Sequence, residues 1–198
     1  MSSAELDTHA RILQAAIDLL EAGDSHGMRM SDIAKRAGIS RQAVYLHFAT
    51  RAALLIAATR YVEDQKDTEA RLRESRAATG GVERLDAFVE AWGNFIPEVH
   101  GVARALLAMK DTDAAAAEAW DNRMQAMREG CAAAIAALAR DGMLTTEYGT
   151  EQAVDLLWTL LSVRNWEQLT IDCGWPQARY ISTLKAVARR TFVRASSS

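Results

Sequence analysis

Arg41, Gln42, Tyr45 and His47 fall within a seven-residue stretch, and at helical spacing they share an outward face. All four side chains hydrogen-bond directionally. A guanidinium can pair with guanine O6 and N7, and a carboxamide can do the same with adenine N6 and N7. Tyr45 adds a hydroxyl and a flat ring suited to a phosphate or a thymine methyl. His47 can bond phosphate and titrates near neutrality. Each has a plainer reading as well. Arg41 and Gln42 could hold backbone phosphates without reading sequence, and His47 could be a surface histidine with no role. His9, His26 and His100 have no partners at ligand spacing.

The elements that must position these groups lie between Arg29 and Phe48. Ala34 is small where two helix axes would cross, and Gly38 stands where the first helix must stop in a left-handed conformation. Ile39 fits the angle between the helices, and Ser40 suits the N-cap of the second. Val44 and Phe48, four apart, give that second helix a buried stripe. The spacing predicts a helix-turn-helix over 29–48, whose second helix presents its N-terminal half to a DNA major groove. A helical corner that touches no nucleic acid would show the same spacing. Charge separates the two readings. Residues 29–60 hold six Lys and Arg against Asp32 alone, a formal +5 in a chain whose net charge is −3. A basic segment in an acidic chain is the footprint of a phosphate-binding head.

With 198 residues, 49% of them hydrophobic and 25% charged, the chain can bury one or two cores. Cys131 and Cys173 lack metal-ligand spacing, which predicts a reducing cytoplasm and no disulfide framework. No signal-peptide pattern opens the chain. No run approaches the ~18 apolar residues of a membrane span, so no membrane association is expected. We find no nucleophile elbow, Gly-rich phosphate loop, HExxH or CxxC. The sequence therefore predicts no enzyme, no metal and no cofactor.

Periodicity predicts an all-α fold. A first helix is expected from about Thr8 to Ala22 after a frayed start at Met1–Asp7, with a loop at Asp24–Gly27. Helix 2 ends at Ala37, and helix 3 covers Arg41 to Phe48. Thr50 caps a fourth helix expected to run unbroken from Arg51 to about Arg76. The next spans Val82 to about Ile96, and Pro97 suits the first turn of another, to about Lys110. A long helix follows from about Thr112 to Arg140, then one from Thr150 to about Thr170. The last runs from about Pro176 to Val193, before a polar tail at Ala195–Ser198. Domains are expected at 1–50 and 51–198. Glu63, Asp64, Asp67 and Glu69 read as a solvated face.

Trp120, Met124, Met127 and Cys131 share one face of the long helix. That face reads as ordinary core, or as the wall of an apolar ligand pocket joined by Trp92, Phe95, Met109 and Trp158. Nothing cationic beside Cys131 suggests a reactive thiol. The helix around Leu157, Trp158 and Leu161 is apolar nearly all round, which fits a central core helix or a helix shared with a second copy.

IAKRAGISRQAVYLHF, followed by Thr50, Arg51, Leu54 and Leu55, resembles the DNA-binding domain of the TetR family of regulators. RILQAAIDLLEAG is similar to that family's opening helix, and the likeness covers about residues 9–56. It implies a homodimeric regulator of a palindromic double-stranded DNA operator, with a C-terminal effector-binding and dimerisation domain. The resemblance puts Arg41, Gln42 and Tyr45 where bases are read, and Ser40, Tyr45, His47 and Arg51 where phosphates are held. Ala43 and Thr50 complete that interface. It also implies an intersubunit bundle of the last two helices, with Leu157, Trp158, Leu161, Tyr180, Leu184 and Val187 at its interface. The middle helices would enclose a small apolar or amphipathic effector. Two departures stand out. Arg29 replaces the usual Thr before helix 2, with Ser31 as a later cap, and Ala52 follows Arg51 where an acidic residue is common. The resulting expectation is a repressor released by its effector. The alternatives are a DNA-binding regulator without effector and a helical protein–protein adaptor.

Overall fold

The computed structural model describes residues 3–23 and 28–195. The loop expected at Asp24–Gly27 lies outside the described residues, as do Met1, Ser2 and the end of the polar tail. The chain is all-α: α1 (Ser3–Glu21), α2 (Met30–Ala37), α3 (Arg41–His47), α4 (Arg51–Gln65), α5 (Thr68–Ala77), α6 (Gly81–Met109), α7 (Ala114–Arg140), α8 (Thr150–Leu160), α9 (Val163–Trp166) and α10 (Gln177–Phe192). A π-helical segment, Glu167–Asp172, follows α9 directly. Among the described residues the β-pairing is a single bridge between Leu144 and Val193.

Two compact units emerge, Met1–Lys66 with Val99–Met124, and Asp67–Glu98 with Gln125–Ser198. The first holds the head. Ile12, Ala16 and Leu20 of α1, Ile33 and Ala34 of α2, Val44 of α3, and Leu54, Leu55 and Ala58 of α4 form one buried cluster. Each fully buried Ile or Leu contributes about 1.5–3 kcal/mol by leaving water. The last turns of α6 and the first of α7 join that cluster through Val102, Leu106, Met109, Ala116 and Ala119. The unit thus reaches past residue 50, because α4 supplies core to the head.

The turn between α2 and α3 forms as the spacing predicts. Gly38 has φ +69°, and the Ile39 amide donates to the Ala34 carbonyl at 3.0 Å, which closes the helix end. An L-residue with a Cβ is strained there. Gly38→Ala is therefore expected to destabilise the chain by about 1–2 kcal/mol in urea unfolding.

Five expectations need correction. The frayed start is helical from Ser3. Ser31 is not the cap of α2; the Asp32 carboxylate instead reaches back to the Arg29 amide at 2.9 Å, satisfying a donor that has no intrahelical partner. The helix predicted over Arg51 to Arg76 breaks at Asp67, whose φ is +50° and whose carboxylate accepts from the Ala70 amide at 3.2 Å, capping α5. The helix predicted from Thr150 to Thr170 breaks at Leu161. Ser162 caps α9 through the Asn165 amide at 3.2 Å, and Trp92 Nε1 donates to the freed Leu161 carbonyl at 2.8 Å.

Fifth, α6 runs unbroken through Pro97 instead of restarting there. Proline has no N–H to offer the carbonyl four residues back. That carbonyl, on Gly93, accepts from Gln177 Nε2 at 2.7 Å, while Gln177 Oε1 accepts from Trp166 Nε1 at 3.0 Å. A side chain from α10 replaces the missing backbone donor.

Candidate nucleic-acid interface

The head buries one side of α3 and leaves the other open. Val44 is 0% exposed and Phe48 5%, so the stripe four residues apart faces inward. Arg41, Gln42 and Tyr45 are exposed, and Ala43 and His47 are half-buried. Arg41 Nη2 donates to the Tyr45 hydroxyl at 3.3 Å, with the guanidinium 5.5 Å from the ring centroid. This contact holds the two side chains together one helical turn apart and raises the Arg41 pKa above its ordinary value through the Tyr45 hydrogen bond.

Ser40 Oγ accepts from the Ala43 amide at 3.1 Å, and Thr50 Oγ1 from the Ala53 amide at 3.0 Å. Both residues are exposed caps. Capping uses their lone pairs and leaves the hydroxyl hydrogens to donate outward. His47 lies edge-on to His9 at 5.9 Å between ring centroids, and His9 sits 4.7 Å from the Phe48 ring. Burial, then the His47 charge, lower the His9 pKa. His9, to which spacing assigns no role, packs against His47.

Leu46 was missed. It is 83% exposed on α3, beside Tyr45 at 41%. The signal was present in the sequence: a large apolar residue that the Val44–Phe48 stripe places on the outward face. A leucine there is a contact surface for a thymine methyl.

Arg51 departs from expectation. Its guanidinium is not free to grip a phosphate but pairs with Asp113, with Nη1 2.7 Å from Oδ1 and 2.6 Å from Oδ2. Arg51 Nε and Nη2 are buried and lack a hydrogen-bond partner. Asp113 also accepts from the Ala115 and Ala116 amides at 3.0 and 3.2 Å, so the carboxylate that caps α7 holds the first residue of α4. Further along, Glu63 pairs with Arg123, which corrects its reading as a solvated carboxylate. Burial raises the Glu63 pKa despite Arg123.

Desolvation pushes the Asp113 carboxyl upward, but the Arg51 hydrogen bond and the two amides outweigh it and leave the pKa below its ordinary value. A carboxyl depressed in the folded state stabilises fully above its unfolded pKa of about 3.9, and that stabilisation is lost as pH falls through the folded value. Asp113→Asn should therefore lower the unfolding midpoint at pH 7. The gap from the parent should close below about pH 4.

Residues 12–58 match the family model described as bacterial regulatory proteins, tetR family. The match spans α1 through the first two turns of α4, the elements that hold the open face of α3. The head matches the TetR family. Solved structures agree on the fold of the chain as a whole. A transcriptional regulator from Saccharomonospora viridis, in complex with choline, superposes with a TM-score of 0.72 at 19% identity, covering 96% of this chain and 99% of that one. A chain assigned as a TetR-family regulator from Rhodococcus sp. gives 0.72 at 21% identity, covering 93% and 97%. A TetR transcription regulator from Haloarcula marismortui gives 0.68 at 16%, covering 95% and 99%. No curated protein matches in sequence. The chain has no described helix long and apolar enough to cross a membrane, and its described residues hold no group of three His, Cys, Asp or Glu placed to bind a metal.

The residues expected to form one effector pocket fall in both units. Met109 and Trp120 pack with the head's core in the first unit, and Met124 ends that unit. Trp92, Phe95, Met127, Cys131 and Trp158 belong to the second unit, where the Trp92 and Phe95 rings lie 5.7 Å apart. Cys131 is fully buried, and burial pushes its thiol up to about 12, so it stays protonated and unreactive at neutral pH.

Of the residues expected at the dimer interface, Leu157, Leu161, Tyr180 and Leu184 are buried within the single chain. They are core. Trp158 and Val187 keep partial exposure, and Leu156 and Ile171 are exposed apolar residues, at 42% and 56%. The Tyr180 hydroxyl is buried without a hydrogen-bond partner, an arrangement that costs about 1–3 kcal/mol. Tyr180→Phe is expected to raise the melting temperature; a fall would show that the hydroxyl has a partner.

Proposed function

We propose that the chain is a dimeric, ligand-responsive repressor that reads a palindromic operator with α3 of each subunit. The observation that carries this reading is the outward face of α3, where Arg41, Gln42, Tyr45 and Leu46 are all exposed on a helix anchored by a buried Val44. Base-reading residues need that combination of a fixed axis and free side chains. Phosphates would be held by Ser40, Thr50 and His47 around it. The exposed parts of α8 and α10, with Leu156, Trp158 and Val187, support pairing with a second copy. An effector that prefers the non-DNA conformation would lower operator affinity by linkage. The complex of the S. viridis regulator with choline supports a small-molecule effector, and identity of 19% does not carry choline over to this chain.

Selection of purified protein against random duplex DNA tests the reading. Enrichment of two half-sites in inverted orientation, spaced by about 10 base pairs or a multiple, is the expected result. Salt-sensitive binding with no enriched sequence would overturn specific regulation and favour the adaptor. Leu156→Glu should yield monomers in sedimentation, and an intact dimer would place the interface elsewhere.

A further inference from the structure

The first unit contains a pocket of about 230 Å³ between the C-terminal end of α1 and the α6 turns after Val99. Buried Leu20, Met28 and Met109 form its floor, and exposed Arg104 and Ala108 form its mouth. Gly101 lets the helices approach: a Cβ there would stand 3.3 Å from Glu21 Cγ. Among the described lining residues Arg104 is the only charged one, and it makes no ion pair or hydrogen bond among the described residues.

From the repressor reading, we propose that this pocket is the effector site, and that its ligand is a small amphipathic carboxylate with an unbranched apolar tail. The charge follows from Arg104, whose planar guanidinium pairs bidentately with a carboxylate. The tail follows from the floor, since methionine side chains adjust to irregular apolar guests. Size follows from volume. A dry cavity of about 150 Å³ takes one benzene, so this one suits about nine non-hydrogen atoms. The coupling follows from Met28. It belongs to the head's buried cluster and precedes Arg29, the residue capping α2, so a guest that displaces Met28 moves the start of the helix-turn-helix.

Calorimetric titration of the full chain with octanoate, and with octanol and octylamine as controls, tests the site. Octanoate should bind once per chain, at least tenfold tighter than octanol, with octylamine weakest. Arg104→Gln should abolish the preference for octanoate over octanol while leaving octanol binding intact. Ala105→Leu, which fills the pocket from α6, should abolish binding of both without changing thermal unfolding of the free protein. Absence of saturable octanoate binding, or binding indifferent to both substitutions, overturns the site. Octanoate should also weaken binding of the selected duplex at least tenfold in the parent and not in Ala105→Leu. If octanoate binds and the duplex affinity stays constant, the coupling is overturned while the pocket stands. If no duplex is bound at all, the repressor reading falls, and calorimetry still decides the pocket by itself.

Discussion

Gln177→Ala is expected to lower the unfolding free energy by about 2–6 kcal/mol. The magnitude comes from two buried groups. Gly93 is buried and its carbonyl cannot receive the usual backbone hydrogen bond, because the residue four positions on is Pro97. Gln177 Nε2 supplies that bond at 2.7 Å, and Gln177 Oε1 receives Trp166 Nε1 at 3.0 Å. Truncation removes both. Each buried polar group deprived of its partner costs about 1–3 kcal/mol. Urea unfolding measures the sum, and a double-mutant cycle identifies the cause. In a Pro97→Ala background the backbone N–H returns to Gly93, so Gln177→Ala should cost less there by more than about 0.5 kcal/mol. Equal costs in both backgrounds would mean that Gln177 does not substitute for the proline's missing donor.

The same network shows where sequence reading reached and where it stopped. The helix-turn-helix was legible because every determinant is local: Gly38, Ser40, Val44 and Phe48 lie within eleven residues and each acts on its neighbours. Pro97 was read as a helix start because proline in mid-helix is costly on local grounds alone. The group that offsets the cost is Gln177, 84 residues away from Gly93. Arg51 was read from its place beside α3 as a phosphate ligand, and its partner Asp113 is 62 residues distant. The breaks at Asp67 and Leu161 have local causes in the capping side chains of Asp67 and Ser162. The apolar run that continues past Leu161 masked the second cap, and the first break lies in a charged stretch without Gly or Pro to mark it. Burial explains the interface residues: Leu157 and Tyr180 have the composition of a shared face, but both are already fully buried within one chain.

Arg41→Ala is expected to weaken binding to the selected operator by about 1–3 kcal/mol, five- to 150-fold, and to relax the requirement for one base pair in each half-site. Exposure makes this a binding effect. Arg41 is not part of the buried core, and its described contacts are to Tyr45 alone, so unfolding should be unchanged. Fluorescence anisotropy with the selected duplex and with single-base variants measures both quantities. A base contact and a phosphate contact differ in form. If Arg41 reads a base, the loss is concentrated in the duplex carrying the preferred base, and the variant ranks the four bases nearly equally. If it holds a phosphate, all duplexes weaken together and the dependence of log K on log salt concentration flattens by about one unit. Leu46→Ala provides the complement. Removing an uncharged side chain leaves the salt slope intact, and a loss confined to duplexes with a thymine at one position identifies a methyl contact. Because Arg41 and Leu46 lie only five residues apart on α3, the positions they relax should lie within a few base pairs of each other. Relaxed positions at opposite ends of a half-site would mean that α3 does not lie in the groove along the axis its exposed face defines.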